Sequence, residues 1–301
     1  MTPGLGIWIA ATRPAFLSVT FVGVLIGIAC AVYDHSFRSL PLAFVTLCFA
    51  LVAHAGANVL NDYYDSRSGC DVMNSHRIAP FTGGSRLIQN GILTEQQTGA
   101  YAYLLLASVI PAGLWLIWQS GPWLFGIGLM GLLCGWAYSA PPLKLQSRGL
   151  GEVAITLAWF FIVVGSDYVQ TESVNATAVY AGLAYAPLVA NVLFVNQIPD
   201  RLADAAVGKR TLIVRWSPSI TLRVSLALYG ISFTFLAAGI LYGALPHWSS
   251  LALVAALPAC WALTTLHDDP VDRRQLACAI PATIMSCLLF GILLASGLII
   301  S

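Results

Sequence analysis

The segment from Pro41 to Asp71, PLAFVTLCFALVAHAGANVLNDYYDSRSGCD, changes character in the middle. Residues 41–60 are almost wholly apolar and have the length of a helix that crosses a membrane. The polar remainder is acidic and lies where the chain leaves that membrane. Because Asn61 and Asp65 are four residues apart, they share one face of a helix. The segment therefore predicts a membrane-spanning helix that carries an acidic face to the membrane surface.

A second acidic segment, NQIPDRLAD, ends another apolar run. Its Asn196, Asp200 and Asp204 follow one another at the same interval of four residues, so they too are expected along one helical face. Two such faces that look at each other would concentrate negative charge in one place. The pair of segments therefore indicates a site that binds cations.

The chain around the two acidic segments also repeats. Glycine and basic residues follow each of them, in residues 77–86 and 208–211. We interpret this as an internal repeat of helix, acidic segment, basic loop and helix, spanning about residues 41–118 and 176–243.

The composition is typical of a membrane protein. Of the 301 residues, 58% are hydrophobic and 9% are charged, whereas soluble domains carry about 25% charged residues. The net charge of +1 gives no basis for a nucleic-acid partner. The seven cysteines include no Cys-x-x-Cys pair, and we interpret them as apolar packing residues of a reduced protein. Cys70, within the acidic segment, is the one that could serve as a ligand.

The apolar runs predict an all-α, polytopic membrane protein with a single domain over residues 1–301. Runs of about 17–25 apolar residues are typical of spanning helices. Nine are present, at about residues 15–33, 41–60, 100–118, 122–138, 151–169, 176–197, 220–243, 248–266 and 276–299. The residues before the first run, which include Trp8 and Arg13, predict a short interfacial helix.

The distribution of charge predicts the orientation. With nine spanning helices, 13 of the 14 Lys and Arg residues fall on the side of the N-terminus, and only Arg38 lies opposite. By the positive-inside rule, the N-terminus and the loops that carry the acidic segments are cytoplasmic, and the C-terminus is on the far side. Ten of the 13 acidic residues share the cytoplasmic side. Charge of both signs on one side indicates a working face there.

The acidic segments are expected to bind Mg²⁺. Carboxylates close to the bilayer are costly and repel one another, and a bound cation reverses that cost. Mg²⁺ commonly takes one or two carboxylates together with substrate phosphates. The expected metal ligands are the polar side chains of both segments, Asn61, Asp62, Asp65, Asp71, Asn196, Asp200 and Asp204. A membrane-borne diphosphate, and hence an isoprenoid donor, fits such a site.

Basic residues behind the acidic segments complete this hypothesis. Those expected to bind the remaining phosphate oxygens are Arg77, Arg86, Lys209 and Arg210. A third loop on the same side is stiffened by two prolines. Its Tyr138, Lys144 and Arg148 are expected to contact substrate.

Each feature also has an ordinary structural explanation. Asp and Asn at helix ends are often caps, and basic residues in loops often serve only topology. His54 is interpreted as a packed core histidine. The duplication of the acidic spacing nevertheless favours a metal–diphosphate site.

A secondary transporter is an alternative function, because transporters also combine repeats with intramembrane ionisable residues. The charges of this chain lie at one face of the membrane rather than at its midplane, which favours an enzyme.

These motifs resemble those of the UbiA superfamily of intramembrane aromatic prenyltransferases, and the resemblance covers essentially the whole chain. The first family motif, Asn-x-x-x-Asp-x-x-x-Asp, is matched by Asn61 and Asp65, but Gly69 stands at its third position and Asp71 supplies the acid instead. That form is similar to the branch that prenylates 1,4-dihydroxy-2-naphthoate for menaquinone. The Gly-Lys-Arg-Thr tail after the second acidic segment is also similar to that branch. Residues 85–91 resemble the Arg-rich turn that follows the first motif in the family. Residues 138–144 resemble its Tyr…Lys loop, although the spacing is longer than in the hydroxybenzoate enzymes.

The resemblance implies nine helices around a central cavity with a lateral opening to lipid. It implies that Mg²⁺ held by the acidic segments assists departure of the diphosphate and that a polyprenyl group is transferred to an aromatic acceptor. The residues with the most direct roles are then Asp65, Asp200, Asp204, Arg86 and Lys209. A cation for the acceptor carboxylate is expected from Lys144 or Arg148. Other acceptors, 4-hydroxybenzoate or homogentisate, and an isoprenoid cyclase of the same superfamily remain alternatives.

Overall fold

A computed structural model describes residues 3–216, 220–268 and 272–301, and the regular elements in these ranges are helices. The thirteen α-helices are α1 (Leu5–Ala11), α2 (Pro14–Tyr33), α3 (Leu40–Ser68), α4 (Cys70–Met73), α5 (Glu95–Ser120), α6 (Trp123–Ser139), α7 (Gly151–Thr171), α8 (Ala176–Asn196), α9 (Arg201–Ala206), α10 (Leu212–Arg215), α11 (Thr221–Leu241), α12 (Ala256–Asp268) and α13 (Arg273–Ile299). The 3₁₀ segment Gln146–Arg148 lies between α6 and α7, and the 3₁₀ segment His247–Ala255 lies directly before α12.

The nine predicted apolar helices are all present. Eight helical stretches in the described ranges are long and apolar enough to cross a membrane, and the 3₁₀ segment joined to α12 provides one of them. The ninth, α6, is apolar but shorter, with 17 residues. The short helix predicted before the first span is α1, whose Leu5 and Ile9 are exposed.

Helix α3 extends further than its apolar run predicts. Ser39 caps its start by accepting a hydrogen bond from the amide of Leu42, and Gly69 ends it in the left-handed region at φ 78°. Asn61, Asp62 and Asp65 of the first acidic segment therefore lie on the helix itself, and Asp71 follows on α4. A hydropathy pattern underestimates such a helix because its last two turns are polar.

The second acidic segment differs from the expectation. Helix α8 ends at Asn196, a turn occupies residues 197–200, and α9 starts at Arg201. The single helical face expected for Asn196, Asp200 and Asp204 is therefore wrong. Pro199 accounts for the break, because proline has no backbone N–H and disfavours helical geometry in the residue before it.

Close packing joins α2, α7, α8 and α13. Helices in hydrocarbon associate through close packing, which small residues permit. A Cβ added at Gly27 would overlap the Val163 carbonyl of α7, and one added at Gly291 of α13 would overlap Val22. Fully buried Tyr185 of α8 donates a hydrogen bond to the Val19 carbonyl of α2 at 2.9 Å. These contacts hold α2 against α7, α8 and α13.

At the end of the bundle away from the acidic segments, Arg38 ties the α2–α3 connection to its neighbours. Its guanidinium donates to the carbonyls of Gln119 and Val169 and pairs with Glu172. The side chain of Gln170 accepts from the backbone amides of Arg38 and Ser39 at 3.1 and 2.9 Å. This end of the bundle is therefore held by structural contacts.

Candidate active site

A cavity of about 560 Å³ runs between α2, α3, α5, α6, α7 and α8. Its polar end is formed by both acidic segments, where Asp65, Asp71, Asp200 and Asp204 line it. The rest of its wall is mainly apolar and includes Phe16. Two segments that are far apart in sequence thus meet at one end of a long apolar chamber.

Within the first segment, Asn61 and Asp65 lie on one face of α3, as the four-residue spacing predicts. The Asn61 amide donates to Asp65 at 3.0 Å and lies 3.3 Å from both Ser139 and Gln146. It therefore links α3 to the end of α6 and to the loop that follows. Because these partners fix the amide, Asp65 is held facing the cavity.

Asp62 and Asp71 differ in position although both are buried. Asp62 lies behind the cavity wall, where it accepts a hydrogen bond from the Ser85 amide at 2.9 Å. Asp71 lines the cavity and accepts from Gln89 at 3.0 Å. The α4–α5 loop therefore folds back over both carboxylates.

The second segment is held by residues on and just after α4. The Asn74 amide, just after α4, donates to Asp200 at 2.6 Å. The Cys70 thiol donates to Asp204 at 3.0 Å. These two bonds fix the turn and α9 against α4, so that the carboxylates of both segments face one space.

Lys209 joins the two segments by charge. Its ammonium lies 2.9 and 3.0 Å from the oxygens of Asp65 and 3.4 Å from Asp204, and only 7% of the side chain is exposed. Burial by itself lowers the pKa of a lysine, but the two carboxylates raise the pKa of Lys209 well above its usual range. The lysine therefore remains charged and balances the acids.

Two other carboxyls at the polar end are destabilised in their ionised form. Burial, with the charges of Asp65 and Asp62, raises the pKa of Asp71 to about 8. Burial raises the pKa of Asp200 to about 6, although its bond from Asn74 opposes that shift. A cation beside these groups stabilises their ionised form.

The available oxygens suit Mg²⁺. Several buried oxygens here have no hydrogen-bond partner in the described part of the chain, namely those of Asn74 (Oδ1), Asn196 (Oδ1), Gln197 (Oε1) and Asp204 (Oδ2). Carboxylate and amide oxygens are the hard ligands that Mg²⁺ prefers. Among the described residues, no group of three His, Cys, Asp or Glu side chains is arranged to hold a metal ion. The carboxylate and amide oxygens at the polar end are nevertheless of the type that Mg²⁺ prefers.

The predicted basic residues separate into two groups. Lys209 lines the cavity, whereas Arg77, Arg86 and Arg210 lie outside its wall. Arg86 donates to the Asp71 carbonyl from a left-handed backbone at φ 65°. Arg210 is exposed, and its amide donates to the Ser147 carbonyl at 3.0 Å. These arginines belong to the loops at the polar end but do not line the cavity, whereas Lys209 does.

The loop after α6 contributes differently from the prediction. Tyr138 is buried and lines the cavity. Lys144 and Arg148 are exposed and lie outside the cavity wall, with Arg148 donating to the Pro142 carbonyl at 2.8 Å. From the same loop, Gln146 lines the cavity instead.

Sequence reasoning missed one prominent residue, Arg13. It was assigned to the interfacial helix, but its side chain lines the cavity, 3.7 Å from Asp62 and 3.5 Å from the oxygen of Asn61. Its backbone is left-handed, at φ 56° and ψ 61°, which turns α1 sharply into α2. The sequence did contain a signal for this role, because a basic residue stands directly before Pro14 at the start of a spanning helix.

His54 also lines the cavity, rather than lying only in the packed core. Its Nδ1 is 2.8 Å from the Thr20 hydroxyl, and its ring stands edge-on to Trp159 with centroids 4.9 Å apart. The histidine and the tryptophan form part of an aromatic wall below the polar end.

Comparisons with known proteins agree with this arrangement. The chain is 25% identical to a 1,4-dihydroxy-2-naphthoate octaprenyltransferase of Bacillus subtilis, over 96% of the chain and 91% of the relative. It is 29% identical to the protein of that name from Mycobacterium tuberculosis, over 83% and 82%. A UbiA homologue from Archaeoglobus fulgidus, solved with DMAPP and Mg²⁺, shares the fold with a TM-score of 0.60 at 15% identity, over 96% of this chain and 99% of that one.

The sequence profile of the UbiA prenyltransferase family matches residues 18–290, which is most of the chain and contains both acidic segments. The eight long apolar helices agree with the membrane location of such an enzyme. The chain therefore belongs to the UbiA prenyltransferase family, as a multi-pass integral membrane enzyme.

Proposed function

We propose that the protein transfers a polyprenyl group from an allylic diphosphate to 1,4-dihydroxy-2-naphthoate, in a Mg²⁺-dependent reaction of menaquinone biosynthesis. The observation that carries the proposal is the cavity itself. It joins a polar end, built from two facing acidic segments, to a long apolar chamber within the membrane helices. A substrate with a diphosphate head and an isoprenoid tail matches both parts.

The residues that would hold Mg²⁺ are Asn61, Asp65, Asp71, Asn196, Asp200 and Asp204, with Asp62 supporting them from behind. When bound, the metal supplies positive charge that stabilises the diphosphate as a leaving group. Lys209 lies within reach of the same space and adds a charge-assisted donor for phosphate oxygens. Arg86, Arg77 and Arg210 add positive potential from the surrounding loops.

The apolar part of the cavity protects the reaction. As the allylic carbon–oxygen bond breaks, positive charge develops on the prenyl group, and water would convert that group to an alcohol. Tyr138 and Trp159 line the chamber beside the polar end, and aliphatic side chains form most of the remaining wall. A wall of this kind excludes water and directs the allylic carbon to the ring of the acceptor. The new carbon–carbon bond then displaces a proton or the carboxyl group from that ring.

The acceptor needs a flat slot and a cation for its carboxylate. We place the slot between Phe16, His54 and Trp159, which line the cavity below the acids. We assign the cation to Arg13, whose guanidinium lies 5.3 Å from the centre of the Phe16 ring. Lys209 lies between Asp65 and Asp204 at the end assigned to the diphosphate, and the predicted Lys144 and Arg148 are exposed outside the cavity wall. Arg13 therefore replaces them as the best-placed carboxylate partner.

The names of the B. subtilis and M. tuberculosis relatives support the naphthoate acceptor. The deciding experiment incubates purified protein with Mg²⁺, an allylic polyprenyl diphosphate and one acceptor at a time. Faster prenylation of 1,4-dihydroxy-2-naphthoate than of 4-hydroxybenzoate or homogentisate is the expected result. Preference for a single-ring acceptor would assign the protein to another branch, and consumption of donor without any acceptor would indicate a cyclase.

Arg13 and the exposed basic residues can be compared directly. Removing a charged hydrogen-bonding partner costs about 1.5–3 kcal/mol, so Arg13→Ala should raise the acceptor KM by about tenfold or more while the donor KM changes little. Lys144→Ala and Arg148→Ala are the matched variants. A larger increase in acceptor KM for either of them than for Arg13→Ala would return the carboxylate site to the loop after α6.

We further propose that the acidic end faces the cytoplasm, because 13 of the 14 Lys and Arg residues lie on that side of the bundle. A reporter fused after Ser301 should then behave as extracytoplasmic. Cytoplasmic behaviour of that fusion would reverse the orientation.

A further inference from the structure

Two stretches of chain at the polar end of the bundle are joined into one surface. They are the α6–α7 loop and the stretch that leads from α9 through α10. The Arg210 amide of the second stretch donates to the Ser147 carbonyl of the first at 3.0 Å. The Arg215 side chain lies across Gly149, where an added Cβ would stand 2.8 Å from its Nε, and this Nε donates to the Arg210 carbonyl at 3.0 Å. These contacts bring Arg148, Arg210 and Arg215 to neighbouring positions, which we call the arginine surface.

The arginine surface carries positive charge without a balancing acid. All three arginines are exposed, and in the part of the chain that the structure describes none of them forms an ion pair with a carboxylate. Arg148 donates from one terminal nitrogen to the Pro142 carbonyl at 2.8 Å, and a guanidinium has further N–H donors. Because like charges held close together repel one another, an anion between them is stabilising. Phosphate suits such a place, since its oxygens accept paired hydrogen bonds from arginine.

Exposed apolar side chains adjoin the arginine surface. Trp216 directly follows Arg215, and Leu150 stands where the loop enters α7. Val153 and Leu157 follow Leu150 at intervals of three and four residues, so the three lie along one side of α7. These four apolar side chains are 39% to 55% exposed and lie outside the cavity lining. Tryptophan and arginine at the end of an apolar helix are typical of the zone where lipid headgroups lie.

An anionic phospholipid fits these features better than a free anion does. Its phosphate matches the arginines, and its acyl chains match the apolar side of α7 that begins beside them. A free phosphate would use the arginines alone. The diphosphate of a prenyl donor is assigned to the polar end of the cavity, whereas the arginine surface lies outside the cavity wall.

We propose that the arginine surface binds the phosphate of an anionic phospholipid, with the acyl chains along Leu150, Val153 and Leu157. The inference does not rest on the proposed function. The bound lipid holds the two stretches of chain together beside the cavity. Each stretch also contributes a side chain to the cavity, Gln146 from the first and Lys209 from the second. The lipid therefore stabilises the polar end of the folded protein.

The first test compares unfolding temperatures in two bilayers. Purified protein is placed in nanodiscs of phosphatidylcholine alone, or of equal parts of phosphatidylcholine and phosphatidylglycerol. Basic residues close to anionic lipid are each stabilising, so the mixed bilayer should raise the unfolding temperature of the wild type by about 5 °C. The double variant Arg148→Ala/Arg215→Ala should lose at least about half of this increment. Arg67→Ala is the matched control and should keep it, because Arg67 is an exposed arginine on α3 that donates to Tyr63 at 3.0 Å.

Equal increments in the wild type and the double variant would overturn the proposal. An equal reduction by Arg67→Ala would overturn it as well, because it would indicate a diffuse attraction of all basic residues to the bilayer. Inorganic phosphate, added to the protein in pure phosphatidylcholine, distinguishes a free anion from a lipid. A rise as large as that with phosphatidylglycerol, absent from the double variant, would assign the arginine surface to a free anion and contradict the lipid.

A second measurement uses only the wild-type protein. The protein is released from the mixed bilayer into mild detergent, and the lipids that stay bound are identified by native mass spectrometry. Phosphatidylglycerol should be retained in preference to phosphatidylcholine by about tenfold. Equal retention of the two lipids would overturn the proposal, whatever the stability of the variants.

Discussion

The two acidic segments bring similar side chains to one cavity by different means. The first stands on α3, a continuous helix that carries Asn61 and Asp65 on a single face. The second is divided by a turn between α8 and α9, and its Asp200 and Asp204 are held by Asn74 and Cys70. Asn61 and Asp65 are thus positioned by their own helix, whereas Asp200 and Asp204 are positioned by contacts from Asn74 and Cys70. Equal spacing in the sequence does not require equal local structure.

The side chain that joins the two segments should have the largest effect. Lys209→Met leaves Asp65 and Asp204 buried without their counter-charge, and breaking a buried ion pair in this way costs about 3–5 kcal/mol. We expect a much lower unfolding temperature in detergent for this variant than for wild type. Arg210→Met, next to it and exposed, should change stability by less than about 0.5 kcal/mol. Equal stability of the two variants would mean that Lys209 does not hold the segments together.

Corresponding acids of the two segments should matter equally for turnover. Asp65→Ala or Asp200→Ala should each lower kcat by about two orders of magnitude, because each weakens stabilisation of the charge on the leaving diphosphate. Glu95→Gln, at an exposed carboxylate that accepts from Ser66, is the control. Excess chelator should abolish the wild-type reaction. Full activity in chelator would contradict a shared metal site, and loss in only one of the two variants would leave the other segment without a direct role.

The contribution of Asn74 to the position of the second segment can be tested with Asn74→Ala. Its hydrogen bond to Asp200 involves a charged group, and loss of such a bond costs about 1.5–3 kcal/mol. A decrease in kcat of about tenfold follows if that cost appears in the transition state. Asn90→Ala, at an exposed position in the same loop, provides the comparison. If both variants retain full activity at all Mg²⁺ concentrations, the turn holds Asp200 without help from α4.

Cys70→Ala should have the smallest effect. The thiol is a weak hydrogen-bond donor, so loss of its contact with Asp204 should change kcat by less than about threefold. The rate and its dependence on Mg²⁺ concentration are the measurements. A loss of tenfold or more, together with a weaker response to Mg²⁺, would identify Cys70 as a ligand.

The nine apolar helices were predictable because hydrocarbon demands long apolar segments, and this demand is visible in composition alone. The last two turns of α3 are polar and therefore do not show in the hydropathy pattern, although Gly69 marks the end of the helix in the sequence. The break after Asn196 had a signal in Pro199 that the four-residue spacing concealed. In the candidate site, the acids and Lys209 were accessible to sequence reasoning because their residue types and spacing are distinctive.

Arg13 was assigned to the membrane interface, and Lys144 and Arg148 were placed against the substrate. Both expectations depended on where the chain turns. The left-handed backbone at Arg13 directs it into the cavity, and the path of the loop after α6 leaves Gln146 inside and its two basic neighbours outside. Such turns are set by packing between helices, which spacing along one helix does not report.

The lysine between the acidic segments also bears on how the protein matures. Small zinc domains stay unfolded until their metal arrives, because the metal supplies their folding free energy. Here a balancing positive charge is covalently part of the chain, since Lys209 pairs with Asp65 and Asp204. The helices can therefore assemble during biosynthesis without waiting for a divalent ion. Under the proposed Mg²⁺ dependence, a cell short of magnesium would hold folded but inactive enzyme in its membrane, which would become active when the ion returns.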